Sequence, residues 1–124
     1  MKKKLATLFA ALGFCLLTTN FAAAQDQRIR LVKGRKIILK GDVSDRGDKT
    51  LIFRANKGQR LTIKLIGRDA DFVLSGGTAG SVEEYTGETK FWSGKLPPSD
   101  DNEYYIRLIS NYKVASYTIE IRLQ

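Results

Sequence analysis

Histidine is missing from all 124 residues, and cysteine occurs once, at Cys15. The first absence removes the commonest general base and the commonest transition-metal ligand. The second leaves no pair of thiols for a disulfide within the chain, and beyond residue 24 no thiol nucleophile either. The sequence also has no phosphate-cradling glycine loop, no dinucleotide fingerprint and no G-x-S-x-G elbow. A two-carboxylate glycosidase needs opposed acids in a cleft, which so short a β-rich chain does not obviously supply. These gaps point away from catalysis, from metal and from cofactors, and toward a protein that works by binding.

What is present begins with a leader. Lys2, Lys3 and Lys4 precede an apolar run from Leu5 to Leu17, and Ala22-Ala23-Ala24 follows before Gln25. That is the basic, apolar and small-residue order of a secretory signal. The run is shorter than the roughly 20 residues of a membrane-spanning helix. Phe14 precedes Cys15 where a lipid-attachment signal has a small residue. The expectation is a cleaved signal peptide over residues 1–24 and one binding domain over 25–124, exported to the periplasm or secreted, and not membrane-spanning.

Charge is unevenly spread. Residues 25–68 carry 13 basic and 4 acidic side chains, and residues 69–124 carry 5 and 9. An anionic partner for one surface and cross-strand pairing within the fold both account for this asymmetry.

Period-two alternation dominates the remainder. Leu51, Phe53 and Ala55 share one face, as do Leu61, Ile63 and Leu65, and Tyr117, Ile119, Ile121 and Leu123. Successive side chains of a strand point to opposite sides, so each segment reads as a half-buried antiparallel strand. Weaker runs lie at Arg28–Val32, Lys36–Lys40, Phe72–Ser75, Lys90–Leu96 and Tyr104–Ile109. The expected fold is all-β, a single antiparallel β-sandwich of about eight short strands. Asn56-Lys57-Gly58-Gln59 reads as a tight hairpin, with Gly58 supplying positive φ. Pro97 and Pro98 fall between strands, where a missing N–H is harmless.

Two surfaces are candidates for binding. Arg28, Arg30, Lys36, Lys40, Arg54, Arg60 and Lys64 point outward, and would form one cationic face if their strands were neighbours. The connection Gly76–Gly94 starts with a glycine-rich stretch and carries Tyr85, Lys90, Phe91 and Trp92. Aromatics among glycines and charges suit a binding loop. Alternation lets only one of Phe91 and Trp92 face inward. The expected partner-binding set is Tyr85, Lys90, Phe91, Trp92, Arg54 and Lys64. Nucleic acid is not an expected partner outside the cell; an acidic protein surface or an anionic envelope polymer is. Two acidic runs, Asp42/Asp45/Asp48 and Asp100/Asp101/Glu103, have the oxygen ligands a calcium ion takes, and also the composition of ordinary turns.

The order of these segments resembles a known family. Leu51-Ile52-Phe53-Arg54-Ala55-Asn56-Lys57-Gly58-Gln59-Arg60-Leu61-Thr62-Ile63 is similar to the Y-x-F-x-A-x-x-G-Q-x-(L/V)-x-(V/I) stretch of pre-peptidase C-terminal-like β-sandwiches. Leu96-Pro97, Tyr104–Leu108 and Tyr117–Ile121 continue the pattern. Within it, the chain most resembles the periplasmic inhibitors of g-type lysozyme, over roughly residues 27–123. The resemblance implies a rigid sandwich whose loops occlude the active-site cleft of a lysozyme-like glycosidase. The S-G-x-x-Y loop of other periplasmic lysozyme-inhibitor families is absent: Lys95-Leu96 follows Ser93-Gly94. No inhibitory residue is therefore carried over from the family.

Overall fold

The computed structural model describes residues 25–78 and 80–124. The expected signal peptide and Cys15 lie outside the described residues. Among the described residues nine strands run in chain order, β1 (Gln25–Arg28), β2 (Lys36–Ser44), β3 (Lys49–Arg54), β4 (Arg60–Ile66), β5 (Ala70–Thr78), β6 (Ser81–Glu84), β7 (Phe91–Lys95), β8 (Glu103–Ser110) and β9 (Val114–Leu123). They form a five-stranded sheet, β1-β3-β8-β5-β6, and a four-stranded sheet, β2-β9-β4-β7. Every pairing is antiparallel except β1 with β3. The all-β sandwich read from alternation is the observed fold.

The core follows from that alternation. Leu51 and Phe53, Phe72 and Leu74, and Tyr104, Ile106 and Leu108 point in from the five-stranded sheet. Leu61, Ile63 and Leu65 and the odd-numbered residues Ala115 to Leu123 meet them from the four-stranded sheet. The Phe53 and Tyr104 rings stack at 5.6 Å. Each such side chain contributes about 1.5–3 kcal/mol by leaving water, and that burial holds the sheets face to face.

Three expectations need correction. The first strand is Gln25–Arg28 rather than Arg28–Val32. Pairing with β3 stops after Arg28, because the chain must leave that sheet and cross to the other for β2; Ile29 and Leu31 still pack against the core beyond the strand. Second, Asn56–Gln59 is not a hairpin within one sheet. Its Asn56 C=O accepts from the Gln59 N–H at 3.1 Å and Gly58 takes φ +84°, as expected of a tight turn. That turn carries the chain from β3 in one sheet to β4 in the other. Third, there is a ninth strand, because the glycine-rich stretch is not a loop. β5 continues through Gly76 and Gly77, which pair with Glu83 and Val82 of β6.

Gly76 has a steric cause. A Cβ there would lie 2.3 Å from the Tyr85 hydroxyl and 3.0 Å from Ser99 Oγ. The residue is small because a ring lies against it, within a strand.

Candidate binding surfaces

The six residues expected to bind a partner do not gather in one place. Tyr85 is half-buried at the sandwich edge, 6.4 Å from the Tyr104 ring, and donates its hydroxyl to the Pro98 carbonyl at 3.2 Å. Tyr104 donates to the Pro97 carbonyl. Together they tie the Pro97-Pro98 crossover to the core. Lys90 pairs with Asp71 at 3.0 Å and donates to the carbonyls of Gly67, Arg68 and Ala70. Its ammonium thus fastens the connection before β5 to the start of β7. Trp92 is half-buried against the core, and its ring lies along Gly94 of the same strand.

Phe91 and Lys64 do come together. They are direct partners in the β4–β7 register, on the outer face of the four-stranded sheet. Phe91 is 57% exposed. Alternation had left open which of Phe91 and Trp92 faces in; the burial of Trp92 turns Phe91 outward. Arg54 belongs elsewhere, at the end of β3 in the five-stranded sheet, where it donates to the Asp101 carbonyl at 2.9 Å.

The expected single cationic row is likewise divided. Arg28 and Arg54 lie on the five-stranded sheet, and Lys36, Lys40, Arg60 and Lys64 on the four-stranded sheet. Consecutive strands of this fold alternate between sheets often enough that sequence neighbours are not sheet neighbours. Arg30 lies in the crossover between β1 and β2.

The two outer faces differ in electrostatics. On the five-stranded face, Glu103 accepts from Arg28 at 2.7 Å and lies 4.0 Å from Arg54, and Arg107 meets both Asp48 and Glu84 at 3.0 and 3.4 Å. The hydrogen bond from Arg28, reinforced by its charge and that of Arg54, holds the Glu103 carboxyl below the ordinary range. The same hydrogen bond raises the Arg28 guanidinium. On the four-stranded face the register sets Lys36 beside Arg122, Arg122 beside Thr62, and Glu120 beside Lys64. Lys95 stands opposite Arg60. One ion pair joins these groups, Lys36 to Glu120 at 3.6 Å.

Sequence reasoning missed Arg122, Lys95 and Ile38 on this face. The alternation of Tyr117–Leu123 already turned Arg122 outward, but only the sheet order sets it among the lysines.

One end of the sandwich also gathers loops: the crossover at residues 29–35, the turn at 55–59, and the segment 96–102. Arg54 lies between two adjoining grooves there, one lined by Arg28, Arg30 and Ile52 and the other by Lys33, Asn56 and Gln59. The segment 96–102 is held by the two tyrosines and by Ser99 Oγ, which accepts from the Gly77 N–H at 3.1 Å.

The acidic turns are engaged locally. Asp42 accepts from Ser116, Asp48 from Arg107 and Asp100 from the Gly80 N–H. Among the described residues no three His, Cys, Asp or Glu side chains group as a metal site. Nor, among them, is any helix long and apolar enough to cross a membrane.

No family model matches the chain, and no curated protein matches it. Solved structures do. PliG from Aeromonas hydrophila, a periplasmic inhibitor of g-type lysozyme, superposes with a TM-score of 0.67 at 22% identity, over 82% of this chain and 99% of that one. The fold is that of the g-type lysozyme inhibitors. PliG from Salmonella Typhimurium gives 0.61 at 18% identity over the same shares. The pre-peptidase C-terminal domain of a Bacillus anthracis collagenase gives 0.51 at 14%, over 82% and 96%. The fold is thus shared with a pre-peptidase C-terminal domain, and both likenesses anticipated from the sequence are present at the level of fold.

Proposed function

We propose that this chain is an exported, periplasmic, non-enzymatic protein that inhibits a g-type lysozyme by lodging loops in its active-site cleft. The observation that carries this reading is coverage. Two structures described as g-type lysozyme inhibitors align over 99% of their length with one domain of this chain. A free-standing inhibitor and this domain are therefore of one size and one fold. The lack of histidine, and of cysteine beyond Cys15, favours occlusion over chemistry.

The loop end bearing Arg54 suits the task. A glycosidase cleft carries carboxylates, and Arg30, Lys33, Arg54 and Lys57 outnumber Asp100 and Asp101 at this end, leaving it a complementary sign. Its backbone is tied down by Tyr85, Tyr104 and Ser99, so little ordering is required on docking.

The test is a panel of g-, c- and i-type lysozymes assayed with the protein. Inhibition of the g-type enzyme, weakened at least about ten-fold by Arg54→Glu through like-charge contact, is the expected outcome. Full g-type activity at micromolar excess of inhibitor overturns the reading.

A further inference from the structure

The outer face of the four-stranded sheet has a composition that occlusion by loops does not use. With strands about 4.8 Å apart and alternate residues about 6.8 Å apart, the patch from Arg60 to Lys40 measures about 14 by 20 Å. It holds six cations, on Lys36, Lys40, Arg60, Lys64, Lys95 and Arg122. Within it the one carboxylate, Glu120, is neutralised by Lys36, and Asp42, in the row beyond Lys40, accepts from Ser116. Among the described residues, the other five cations have neither an ion pair nor a side-chain hydrogen bond.

Set among them are three exposed apolar side chains, Ile38 at 52%, Phe91 at 57% and Ile66 at 48%. Ile38 stands beside Glu120 and Phe91 beside Lys64, so these four form one row across the sheet. Ile66 is in the next row, beside Thr118, with Lys40 on its far side.

We propose that this face docks on an anionic phospholipid surface, with Ile38, Phe91 and Ile66 entering the headgroup layer and the unpaired cations meeting lipid phosphates. Charge complementarity supplies the first argument, since polybasic patches gather at anionic leaflets. The apolar side chains supply the second. A soluble polyanion offers nothing to two isoleucines, whereas the boundary between headgroups and acyl chains receives apolar side chains flanked by basic ones. Shape supplies the third. The patch is the exposed side of a sheet, with a depression between Phe91, Lys64 and Arg122, and so matches a broad surface better than a narrow chain or peptide.

The experiment is co-sedimentation with vesicles. The chain is expressed with its own leader and used in the form the cell produces. Vesicles of phosphatidylcholine with 30% phosphatidylglycerol should bind it at least about ten-fold better than phosphatidylcholine alone, and binding should fall with salt. Lys64→Gln and Arg122→Gln should each weaken binding about five-fold. Phe91→Ser should weaken it by a similar or larger factor, with an unchanged urea midpoint. Arg30→Gln in the β1–β2 crossover and Arg107→Gln on the five-stranded sheet, equal changes in charge, should leave binding as it was. The proposal is overturned if those two controls weaken binding as much as the face variants, if Phe91→Ser has no effect on vesicle binding, or if vesicles lacking phosphatidylglycerol bind as well as those containing it. Lysozyme inhibition by Phe91→Ser is read in parallel. Its retention alongside lost vesicle binding separates this face from the loop end.

Discussion

The two outer faces of the sandwich carry similar cations to opposite effect. On the five-stranded face Arg28, Arg54 and Arg107 each lie within 4.0 Å of a carboxylate. On the four-stranded face one cation in six has such a partner. Local sequence does not create this difference, because Arg54 and Arg60 are separated by a single turn. It arises from which strands the topology sets beside them. β8 delivers Glu103 and Arg107 to the middle of one sheet, while β9 delivers Glu120 and a further cation, Arg122, to the other. A basic stretch of chain thus becomes a paired lattice on one side and an unspent field on the other.

The comparison can be broken most forcefully from below. Both faces stand on one core, so Phe53→Ala under the paired face should cost about 3–5 kcal/mol and Ile63→Ala under the unpaired face about 2–5 kcal/mol. Urea unfolding should remain a single transition for each; two separated transitions would mean that the sheets are independent. Gly76→Ala comes next, at about 1–3 kcal/mol, because the added methyl drives into the Tyr85 ring. Tyr85→Leu should relieve part of that cost when combined with it, measured as a double-mutant cycle.

Surface charge gives the smallest effects and the sharpest contrast. Lys64→Gln should leave stability within about 0.5 kcal/mol of wild type, since the lost attraction to its neighbour Glu120 offsets relief from nearby cations. Glu103→Gln should destabilise, because two guanidinium groups lose their counter-charge. The sign of the pH effect follows. Glu103 is held below its usual range in the folded state, so its contribution is complete above the unfolded carboxylate range and is lost as pH falls through the lowered value. Carboxyl NMR titration should show Glu103 moving up toward ordinary values in Arg28→Ala. No movement would remove the hydrogen bond from Arg28 as the cause.

Much of the fold was legible because burial on one face imposes a strict period. β3, β4, β8 and β9 each show inward residues where alternation set them. What alternation cannot carry is sheet membership. It orients Arg54 and Lys64 outward in their own strands and says nothing about their lying on opposite sides of the molecule. Nor does it separate a glycine that frees the backbone from one that makes room for a ring, which is why Gly76-Gly77 read as loop rather than as strand. The structural role of Lys90 was hidden for a related reason. A lysine beside aromatics suggests a contact for a partner, but its ammonium is occupied by three carbonyls and Asp71. The pairing of Phe91 with Lys64 was the part of the candidate site within closest reach, since both lay in recognisable strands.

The position of β9 sets a clock on folding. The last strand of the chain is a central member of its sheet, matched to Lys36–Ser44 along nine positions on one side and to β4 on the other. Without it, β2 has no ladder and β4 keeps only its contact with β7. A chain made amino end first therefore cannot close this sheet until β9 is delivered, when distant segments condense together. Until that strand is in place, the sheet lacks the member that joins its two sides.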